Sequence, residues 1–446
     1  MEEAKPEKKI KILTISDHPL SPSGVGTQTK YFIVEMLKTG KFEFVSLGGA
    51  IKHTDHNPQK TDEFGDDWVI YPVDGYGTQD TIRSVLRIHK PDILWFMTDP
   101  RFYPWLWDIE NEIRSLVPMV YYHVWDNFPY PTYNKSWYDS TDVIATISKV
   151  TSDIVQNVSP DTQEVYIPHA IPNELFSPIG EIERSSFRKE HFGLEDDDFL
   201  IFWNNRNARR KQSGSLIYWY NDFIKKLQKD GKTSKTILLM HTEPKDPNGQ
   251  DLYAIIQNLN LNDREVLIST QKIPPDALSK IYSAADCTIS VSDAEGFGLA
   301  TFESLACETP IIVTMTGGLQ EQVTFIDKIT EEMMLERNIS QPGIKEYEFG
   351  IGMEPSSKAI IGSQEVPFIY EDRLSQELVS KSFRKMYDLG REKRKKLGKA
   401  GRKHVMDNYG FTKFAEQWEK LLLDTHEKYG SWETRKNYKS WELKRI

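Results

Sequence analysis

Two glutamates, Glu295 and Glu303, stand eight positions apart in the segment SDAEGFGLATFES, where they could bind hydroxyl groups beside a phosphate. The apolar run CTISVS before them predicts a buried strand, so Glu295 would lie in the loop at its carboxyl end. Gly296 and Gly298 let the backbone approach a ligand closely, and the helix after them would present free N–H groups to an anion. A carboxylate can accept two vicinal hydroxyls of a sugar or ribose. The alternative is a helix-terminal carboxylate followed by a surface glutamate.

The wider segment, YSAADCTISVSDAEGFGLATFESLACETPIIVTMTGGLQEQV, resembles the signature of family 4 retaining glycosyltransferases, which have the GT-B fold. Their pattern is a carboxylate, seven intervening residues and a second carboxylate, then a helix of small residues and a strand led by proline. The sequence departs from the pattern at Glu308, where glycine is usual. The resemblance implies that Glu295 orients the donor sugar and that Glu303 holds the ribose of the donor. It also implies donor contacts by Gly296, Phe297, Gly298 and Leu299.

Basic side chains follow another predicted strand in the segment FWNNRNARRKQSG. In the family that the chain resembles, a basic residue and a lysine five positions later hold the donor diphosphate, and Arg206 and Lys211 have that spacing. An arginine fork and a lysine point charge suit two phosphates and a leaving group that gains negative charge. Gln212 stands where the family usually has glycine, so Arg209 and Arg210 remain alternatives, as does a solvated basic turn.

The first half of the chain offers candidates at the ends of two predicted strands. Gly24 and Gly26 lie between the first strand and a helix, the arrangement of a phosphate-facing loop, although such a pair also makes ordinary turns. The resemblance implies donor or acceptor contact there. It also implies that His123, at the end of the strand before HVWDNFP, lies beside the donor sugar and the reacting centre; the alternative is a core histidine. Asp126 would face the acceptor or cap a turn.

Three further segments are candidates for contacts with the rest of the donor and the acceptor. The segment WFMTDPRFYPWLWD (95–108) places aromatic side chains beside Asp99 and could form an acceptor wall, although helix packing would explain the aromatics equally well. The resemblance implies that the main chain near Ile273 holds the nucleobase. The segment REKRKKLGKAGRK (391–403) is either a solvated helix face or a surface for an anionic acceptor such as DNA or for an acidic membrane.

Short apolar runs alternate with amphipathic stretches along the chain, which predicts parallel sheets covered by helices on both faces. The alternation restarts at DFLIFWNN (198–205), so we expect two α/β units joined near 175–190. Ligands of open parallel sheets bind at the carboxyl ends of the strands. Two such units facing each other would therefore place the site in the cleft between them.

The expected fold class is α/β, GT-B, with two Rossmann-like domains facing across a cleft. We expect an acceptor-side domain over residues 1–180 and a nucleotide-sugar-binding domain over 181–410. Residues 324–372 lack clean periodicity and are interpreted as an irregular insertion. A last helix within 411–446 is expected to cross back to the first domain and to be followed by a polar, frayed tail.

Composition excludes several classes of protein. The net charge of -10 counts against a generally basic surface for nucleic acid. The two cysteines, Cys287 and Cys307, form no CxxC pair, so neither a disulfide framework nor a zinc site is expected. The acidic run at 196–198 is interpreted as a polar turn, and the resemblance implies no required metal or other cofactor. With no signal-peptide h-region and no apolar stretch of about 18 residues, we expect a cytoplasmic protein.

The residues and the resemblance together predict a glycosyltransferase that moves a sugar from a UDP- or GDP-sugar to an acceptor hydroxyl with retention of the anomeric configuration. The expected acceptor is a glycan or glycolipid. A faint likeness of GGLQEQV and IGMEPSSKAIIGSQEVPFIYEDR to glycosyltransferases of large viruses and phages leaves a modified DNA base open. The alternatives are a GT-B phosphorylase or isomerase, and a non-catalytic sugar-nucleotide-binding protein.

Overall fold

A computed structural model describes residues 8–232, 234–262, 265–340 and 343–441. Residues 1–7 and 442–446, at the outer ends of the expected first domain and tail, lie outside the described residues. So do residues 341–342 of the expected insertion.

The first domain is built on an eight-stranded sheet. Its strands are β1 (Ile10–Asp17), β2 (Phe42–Gly49), β3 (Gln59–Lys60), β4 (Trp68–Pro72), β5 (Ile93–Met97), β6 (Met119–His123), β7 (Val143–Thr146) and β8 (Gln163–Tyr166). Their order is β3-β4-β2-β1-β5-β6-β7-β8, and every neighbouring pair is parallel except β3 with β4. The helices are α1 (Gly24–Lys38), α2 (Gln79–His89), α3 (Pro104–Trp107), α4 (Glu110–Arg114), α5 (Lys135–Asp139) and α6 (Lys149–Val158).

The second domain is built on a seven-stranded sheet. Its strands are β9 (Phe199–Asn204), β10 (Thr236–His241), β11 (Val266–Ser269), β12 (Cys287–Ser290), β13 (Ile311–Thr314), β14 (Gly343–Glu346) and β15 (Gly350–Glu354), in the order β11-β10-β9-β12-β13-β15-β14. A separate antiparallel hairpin is formed by β16 (Ser357–Ile361) and β17 (Ile369–Arg373). The helices are α7 (Glu181–Phe192), α8 (Ser213–Lys229), α9 (Leu252–Asn258), α10 (Pro275–Ala284), α11 (Leu299–Ala306), α12 (Gln320–Val323), α13 (Glu331–Ser340), α14 (Gln376–Asp388), α15 (Gly390–Asn408) and α16 (Phe411–Tyr429).

Helix α1 shows how local sequence sets the elements around the cleft. It begins where the Ser23 hydroxyl accepts a hydrogen bond from the N–H of Gly26 at 2.9 Å, which satisfies one of the free donors of the first turn. It ends ahead of Gly40, whose φ of 72° is the left-handed conformation that favours glycine after a helix. The helical spacing of GTQTKYFIVEMLKTG (26–40) predicts a helix end at Gly40, and the structure confirms it.

The expected irregular insertion at 324–372 is wrong for much of its length. Strand β15 adds to the sheet in parallel beside β13, and β14 pairs with β15 in antiparallel fashion. Two glycines interrupt the apolar pattern that would have indicated β15. A Cβ on Gly350 would lie 2.1 Å from the Ile311 carbonyl oxygen, and one on Gly352 would lie 2.4 Å from the Tyr347 ring. These positions need glycine for close packing, so the strand carries few apolar side chains.

Two helical segments also differ from expectation. The sequence predicts one helix near 107–116, but the structure has two short helices in this region, α3 and α4. Helix α7 was not predicted, because its faces are almost entirely polar and its Ile182 is 86% exposed. Its end at Gly193, with φ of 63°, is a left-handed cap of the usual kind.

The last helix returns to the first domain. Trp418 of α16 packs with ring centroids 4.8 Å from Phe32, 5.9 Å from Trp95 and 4.9 Å from Tyr122. The tail beyond it does not fray as expected within the described residues. The Trp432 indole donates to the carbonyl oxygen of Pro91 at 2.8 Å, and further contacts run on to Trp441.

The carboxyl ends of the two sheets face each other and touch. A Cβ built on Gly24, after β1, would lie 3.2 Å from Leu299 at the start of α11. A Cβ on Gly296 would lie 3.1 Å from the carbonyl oxygen of Val124, which follows β6. The loops after β1, β6 and β12 therefore border one cleft, as the sequence predicts. No helix in the described ranges has the length and apolar character needed to cross a bilayer.

Candidate functional site

The loop after β12 is held in place by two glycines from the loop after β13. The Gly318 N–H donates to the carbonyl oxygen of Glu295 at 2.9 Å. A Cβ on Gly317 would lie 2.0 Å from that same oxygen, and one on Gly318 would lie 2.4 Å from the carbonyl oxygen of Gly296. The segment GGLQEQV therefore needs its glycines so that this loop can place the Glu295 side chain at the cleft.

Glu295 forms an ion pair with Lys211, and both side chains are nearly buried, at 13% and 9% exposed. Burial would raise the pKa of Glu295, but the positive charges of Lys211 and Arg210 outweigh it and lower that pKa. Burial lowers the pKa of Lys211 to about 8. Both groups are therefore charged at neutral pH. The sequence predicted both residues, and the structure brings them together.

Arg206 and Arg210 occupy different surroundings. Arg206 is 64% exposed and forms two hydrogen bonds with Asp246, at 2.6 and 3.2 Å. Arg210 lies 3.6 Å from Glu295 and donates to the carbonyl oxygen of Ala294. Burial opposes its charge, but Glu295 and Asp126 outweigh burial and raise its pKa. Arg210 thus joins the Lys211 pair directly, whereas Arg206 is held at the rim by Asp246.

Glu303 lies one turn into α11 and accepts a hydrogen bond from the Tyr282 hydroxyl at 2.7 Å. The side-chain amide of Asn204, at the end of β9, donates to the same hydroxyl at 2.8 Å. Burial raises the pKa of Glu303 to about 7, and the Tyr282 hydrogen bond offsets part of that rise. Tyr282 and Asn204 were not predicted as part of the site, because neither belongs to a charged motif.

Two aspartates border the site from the first domain. Asp99 follows β5 and accepts the N–H of Arg101 at 3.0 Å, so it caps a short 3-10 turn. Burial raises the pKa of Asp126 to about 6, with Glu295 adding to the rise and Arg210 opposing it. Asp126 and Asp99 both influence Arg210 electrostatically. The two predicted acceptor residues therefore lie on the same side of the cleft as each other and opposite Arg210.

His123 is completely buried at the end of β6. Its Nε2 is 2.7 Å from the Tyr138 hydroxyl, and its ring lies between those of Tyr121 and Tyr138. Its Nδ1 is buried and has no hydrogen-bond partner among the residues that the structure describes. Burial lowers the pKa of His123 to about 3, so the imidazole is neutral.

The predicted donor-loop residues divide into packing and cleft positions. Phe297 is 3% exposed and its ring packs on His169 and Phe302, so the donor contact predicted for it would have to come from its main chain. Gly298 has φ of 90°, and no side-chain cap at this residue within the described part of the chain bonds the first N–H groups of α11, which can therefore bind an anion. Ile273 is half-buried in the loop after β11.

Close packing explains why position 26 is a glycine. A Cβ there would lie 2.5 Å from the Ser21 hydroxyl oxygen and 2.6 Å from the carbonyl oxygen of His18, so only glycine fits the turn into α1. Gly24 is different, because it faces Leu299 across the cleft. Of the two predicted phosphate-loop glycines, Gly24 is therefore the one seen to border Leu299 of the second domain.

Two other candidate segments have mainly structural contacts. In 95–108, Trp95, Tyr103 and Trp107 are core residues, so the proposed acceptor wall reduces to side chains such as Phe102, which is 43% exposed. In α15, six of the eight basic residues of 391–403 have partners within the protein. These are Arg391, Lys393, Arg394, Lys395, Arg402 and Lys403. Five of these side chains pair with carboxylates and Arg402 donates to main-chain carbonyl oxygens, so the helix gives little support to a nucleic acid or membrane surface.

An ionic network that was not predicted from the sequence lies beside the site. Glu371 of β17 accepts hydrogen bonds from both terminal nitrogens of Arg209, at 2.9 and 2.5 Å, and from Arg373 at 2.8 Å. Arg373 also pairs with Asp293 in the loop of Glu295, and Gln212 donates to Asp293 at 2.8 Å. No local pattern could reveal this network, since its members come from three segments far apart in the chain.

Known proteins are similar to the part of the second domain that carries Glu295 and Glu303. Residues 224–325, which include the loop of Glu295 and helix α11, match the family described as Glycosyl transferases group 1. D-inositol 3-phosphate glycosyltransferase of Acidothermus cellulolyticus is 39% identical over 163 residues, which are 35% of this chain and 34% of that protein. N-acetyl-alpha-D-glucosaminyl L-malate synthase of Bacillus anthracis is 25% identical over 182 residues, 39% of this chain and 44% of that protein. The chain spans less than half the length of either relative.

Solved structures match over almost the whole chain. Sucrose-phosphate synthase of Thermosynechococcus elongatus has a TM-score of 0.67 at 16% identity, covering 94% of this chain and 100% of that chain. The Anabaena protein HepE, in complex with UDP and glucose, has a TM-score of 0.62 at 10% identity, covering 93% of this chain and 100% of that chain. With the two facing α/β domains, these likenesses confirm the predicted GT-B fold.

Proposed function

We propose that this protein is a retaining glycosyltransferase that moves a sugar from a nucleoside-diphosphate sugar to an acceptor hydroxyl. The observation that carries the proposal is the buried pair of Lys211 and Glu295, with Arg210 beside it and the free start of α11 next to it. Cations, helix N–H groups and a fixed carboxylate suit a diphosphate joined to a sugar. The match of 224–325 to Glycosyl transferases group 1 and the UDP and glucose in the HepE complex support the same chemistry.

The second domain would stabilise the departing diphosphate. Lys211, Arg210 and the start of α11 present positive charge where negative charge grows as the glycosidic bond breaks, and Arg206 would add a fourth contact on leaving Asp246. Charge placed in advance at a partly buried position costs little reorganisation during the reaction. Glu303 would accept the ribose hydroxyls, and Glu295 would orient the sugar hydroxyls and support positive charge on the ring.

The first domain would receive the acceptor. Asp126 and Asp99 would bind its hydroxyl groups opposite Arg210. Because burial keeps His123 neutral, its contribution would be a hydrogen bond or packing rather than a positive charge. Attack on the same face as departure of the leaving group would give retention. A glycan or glycolipid is the acceptor that we propose, because the paired charges of α15 give no support to DNA.

A donor screen tests the proposal. Purified protein is mixed with UDP-, GDP- and ADP-sugars, and nucleotide release is measured with and without candidate acceptors, followed by mass analysis of the products. Glycosylated product from one donor–acceptor pair is expected. Turnover that needs inorganic phosphate and no nucleotide would identify a phosphorylase instead. Tight nucleotide binding without release from any donor would favour a non-catalytic binding protein.

Nucleotide binding is expected to strengthen as pH rises through about 7, because Glu303 must be ionised to accept two ribose hydroxyls. A carboxyl whose pKa is about 7 is mostly protonated at pH 6 and mostly ionised at pH 8, which predicts an affinity gain of about tenfold across that range. Calorimetry with UDP or GDP, whichever the screen selects, measures it. The phosphates titrate too, and so does Lys211, whose pKa is about 8, so Glu303→Gln is the matched control. Equal pH dependence in both proteins would remove Glu303 from the ribose site.

Arg206→Ala is expected to weaken nucleoside diphosphate binding by about tenfold or more, because a charge-assisted hydrogen bond contributes about 1.5–3 kcal/mol. Calorimetry with the nucleotide alone gives the affinity. Arg384→Ala is the control, since Arg384 pairs with Asp230 on the outer surface and should leave the affinity unchanged. Unchanged affinity in Arg206→Ala would show that Asp246 retains Arg206 and that Arg210 contacts the diphosphate without it.

A further inference from the structure

Hairpin β16–β17 leaves the second domain and contacts the first domain at the edge of the cleft. The N–H of Tyr370 donates to the carbonyl oxygen of Phe128 at 2.7 Å, and the side-chain amide of Asn127 donates to the carbonyl oxygen of Tyr370 at 2.9 Å. The Tyr133 hydroxyl donates to the carbonyl oxygen of Phe368 at 2.9 Å. Two of the three bonds thus join the main-chain N–H and carbonyl groups of Tyr370 in β17 to the loop that follows Asp126.

The same strand continues into the donor site through main-chain hydrogen bonds. The Asp372 N–H donates to the carbonyl oxygen of Asp293 at 3.0 Å, and the Asp293 N–H donates to the carbonyl oxygen of Arg210 at 2.8 Å. An unbroken series of contacts therefore runs from Phe128 of the first domain to Arg210 of the second. It passes two residues from Glu295 and ends one residue from Lys211.

Side chains of β17 add ion pairs to this series of hydrogen bonds. Glu371 and Asp293 are each only 3% exposed, and they share the guanidinium groups of Arg209 and Arg373. The carboxylate of Glu371 fixes Arg209 at the start of the turn that carries Lys211. Arg373 fixes Asp293 at the start of the loop that carries Glu295. Charged side chains so deeply buried must remain paired, so these bonds constrain both segments.

We propose that hairpin β16–β17 is a cross-domain strap in which Glu371 and Arg373 are positioning residues for Lys211 and Glu295. The inference rests on the proposed glycosyl transfer. The strap orients the donor-binding turn only while β17 is bonded to the first domain, so the donor site is complete when the acceptor domain is in place. This arrangement disfavours reaction of the donor with water before the acceptor side has closed.

The test compares Glu371→Gln and Arg373→Gln with Glu365→Gln, a change of the same kind in the exposed loop of the hairpin. Displacement of a reacting group by about 1 Å costs up to about 100-fold in rate. We expect both strap variants to lower kcat about tenfold with donor KM changed less than about threefold, and to raise donor hydrolysis relative to transfer. Arg373→Lys should recover part of the loss. The Glu365→Gln control should match the unaltered protein.

Amide hydrogen exchange tests the strap independently of enzymatic turnover. In both strap variants, exchange over 206–212 and 291–296 should rise at least about threefold more than exchange in β10 and β13, which reports the general loss of stability expected when a buried ion pair is broken. If exchange there is unchanged, or if it rises by the same factor in β10 and β13, the proposed strap is contradicted. If the unaltered protein turns over no donor, the proposed function fails while the exchange result still decides the strap.

Asn127→Ala provides a second variant that leaves every buried charge in place. This substitution removes one side-chain hydrogen bond at the first-domain end of the strap, so we expect the variant to fold. Faster exchange at 206–212, on the other side of the cleft, would support the strap. Exchange that rises only at 369–372 would overturn it, because the two ends would then be uncoupled.

Discussion

Lys211→Ala is expected to lower kcat/KM for nucleotide release by about 10³-fold. The lysine is the buried cation closest to Glu295, and loss of one such group that stabilises developing charge costs about 10²–10³-fold elsewhere. The variant also leaves the Glu295 carboxylate without its main partner. Removing one member of a buried pair costs about 3–5 kcal/mol, and the cost here should lie at or below that range because Arg210 remains 3.6 Å away. Steady-state kinetics and urea unfolding measure the two effects.

The double variant Lys211→Met with Glu295→Gln separates the two effects. It removes both charges, so the unfolding free energy should return towards that of the unaltered protein. Activity should stay as low as in Lys211→Ala, because the leaving group still lacks its cation. Recovery of activity together with stability would mean that Lys211 only supports the fold, and it would contradict the assignment of this pair to the donor site.

Asp286→Asn is expected to destabilise the protein by about 3–5 kcal/mol, the largest effect on stability that we predict from a single atom exchange. The carboxylate stands just before β12, is 2% exposed and pairs with Arg188 at 2.9 Å and with Arg184 and Arg394 at 3.2 Å. It also accepts the N–H of Leu200 at 2.8 Å. Its loss leaves three guanidinium groups near one another without their shared counter-charge. Urea unfolding measures the change.

The pH dependence of stability follows from the same group. Burial would raise the pKa of Asp286, but Arg188, Arg394 and Arg184 outweigh it and lower that pKa. The stabilisation by Asp286 is therefore present above the unfolded-state pKa of about 4 and is lost as pH falls through the folded-state pKa.

The control for Asp286→Asn is Asp230→Asn, because Asp230 is 48% exposed and pairs with Arg384. This control should lower the free energy of unfolding by less than about 1 kcal/mol. Equal losses in the two variants would contradict this account.

Most elements of the two sheets were predictable, because their strands are buried on both faces. Strands such as β5 and β6 are completely buried and therefore appear as continuous apolar runs between turns. The elements that were not predicted lack such apolar runs. Strand β15 carries glycines that close packing requires, and α7 is almost entirely polar, so neither shows the apolar pattern typical of a buried element.

The candidate site divides in a similar way. Glu295, Glu303 and Lys211 belong to local motifs, and the resemblance located them without the fold. Arg210 was only an alternative to Arg206, because three arginines within five positions cannot be ranked without knowing which one turns towards Glu295. Residues such as Glu371 were out of reach, because their meaning comes from partners more than 150 positions away in the chain.

The return of α16 to the first domain affects how the protein is made. Translation produces the strands of that domain first, yet the indole of Trp418, which packs on Phe32, Trp95 and Tyr122, emerges only after the second domain has been synthesised. Until then those three rings lack a neighbour that buries them in the finished protein. Domains generally fold as they leave the ribosome, starting with the first. Here the domain that is synthesised first is completed last, so its exposed aromatic surface must be kept from other chains in the interval.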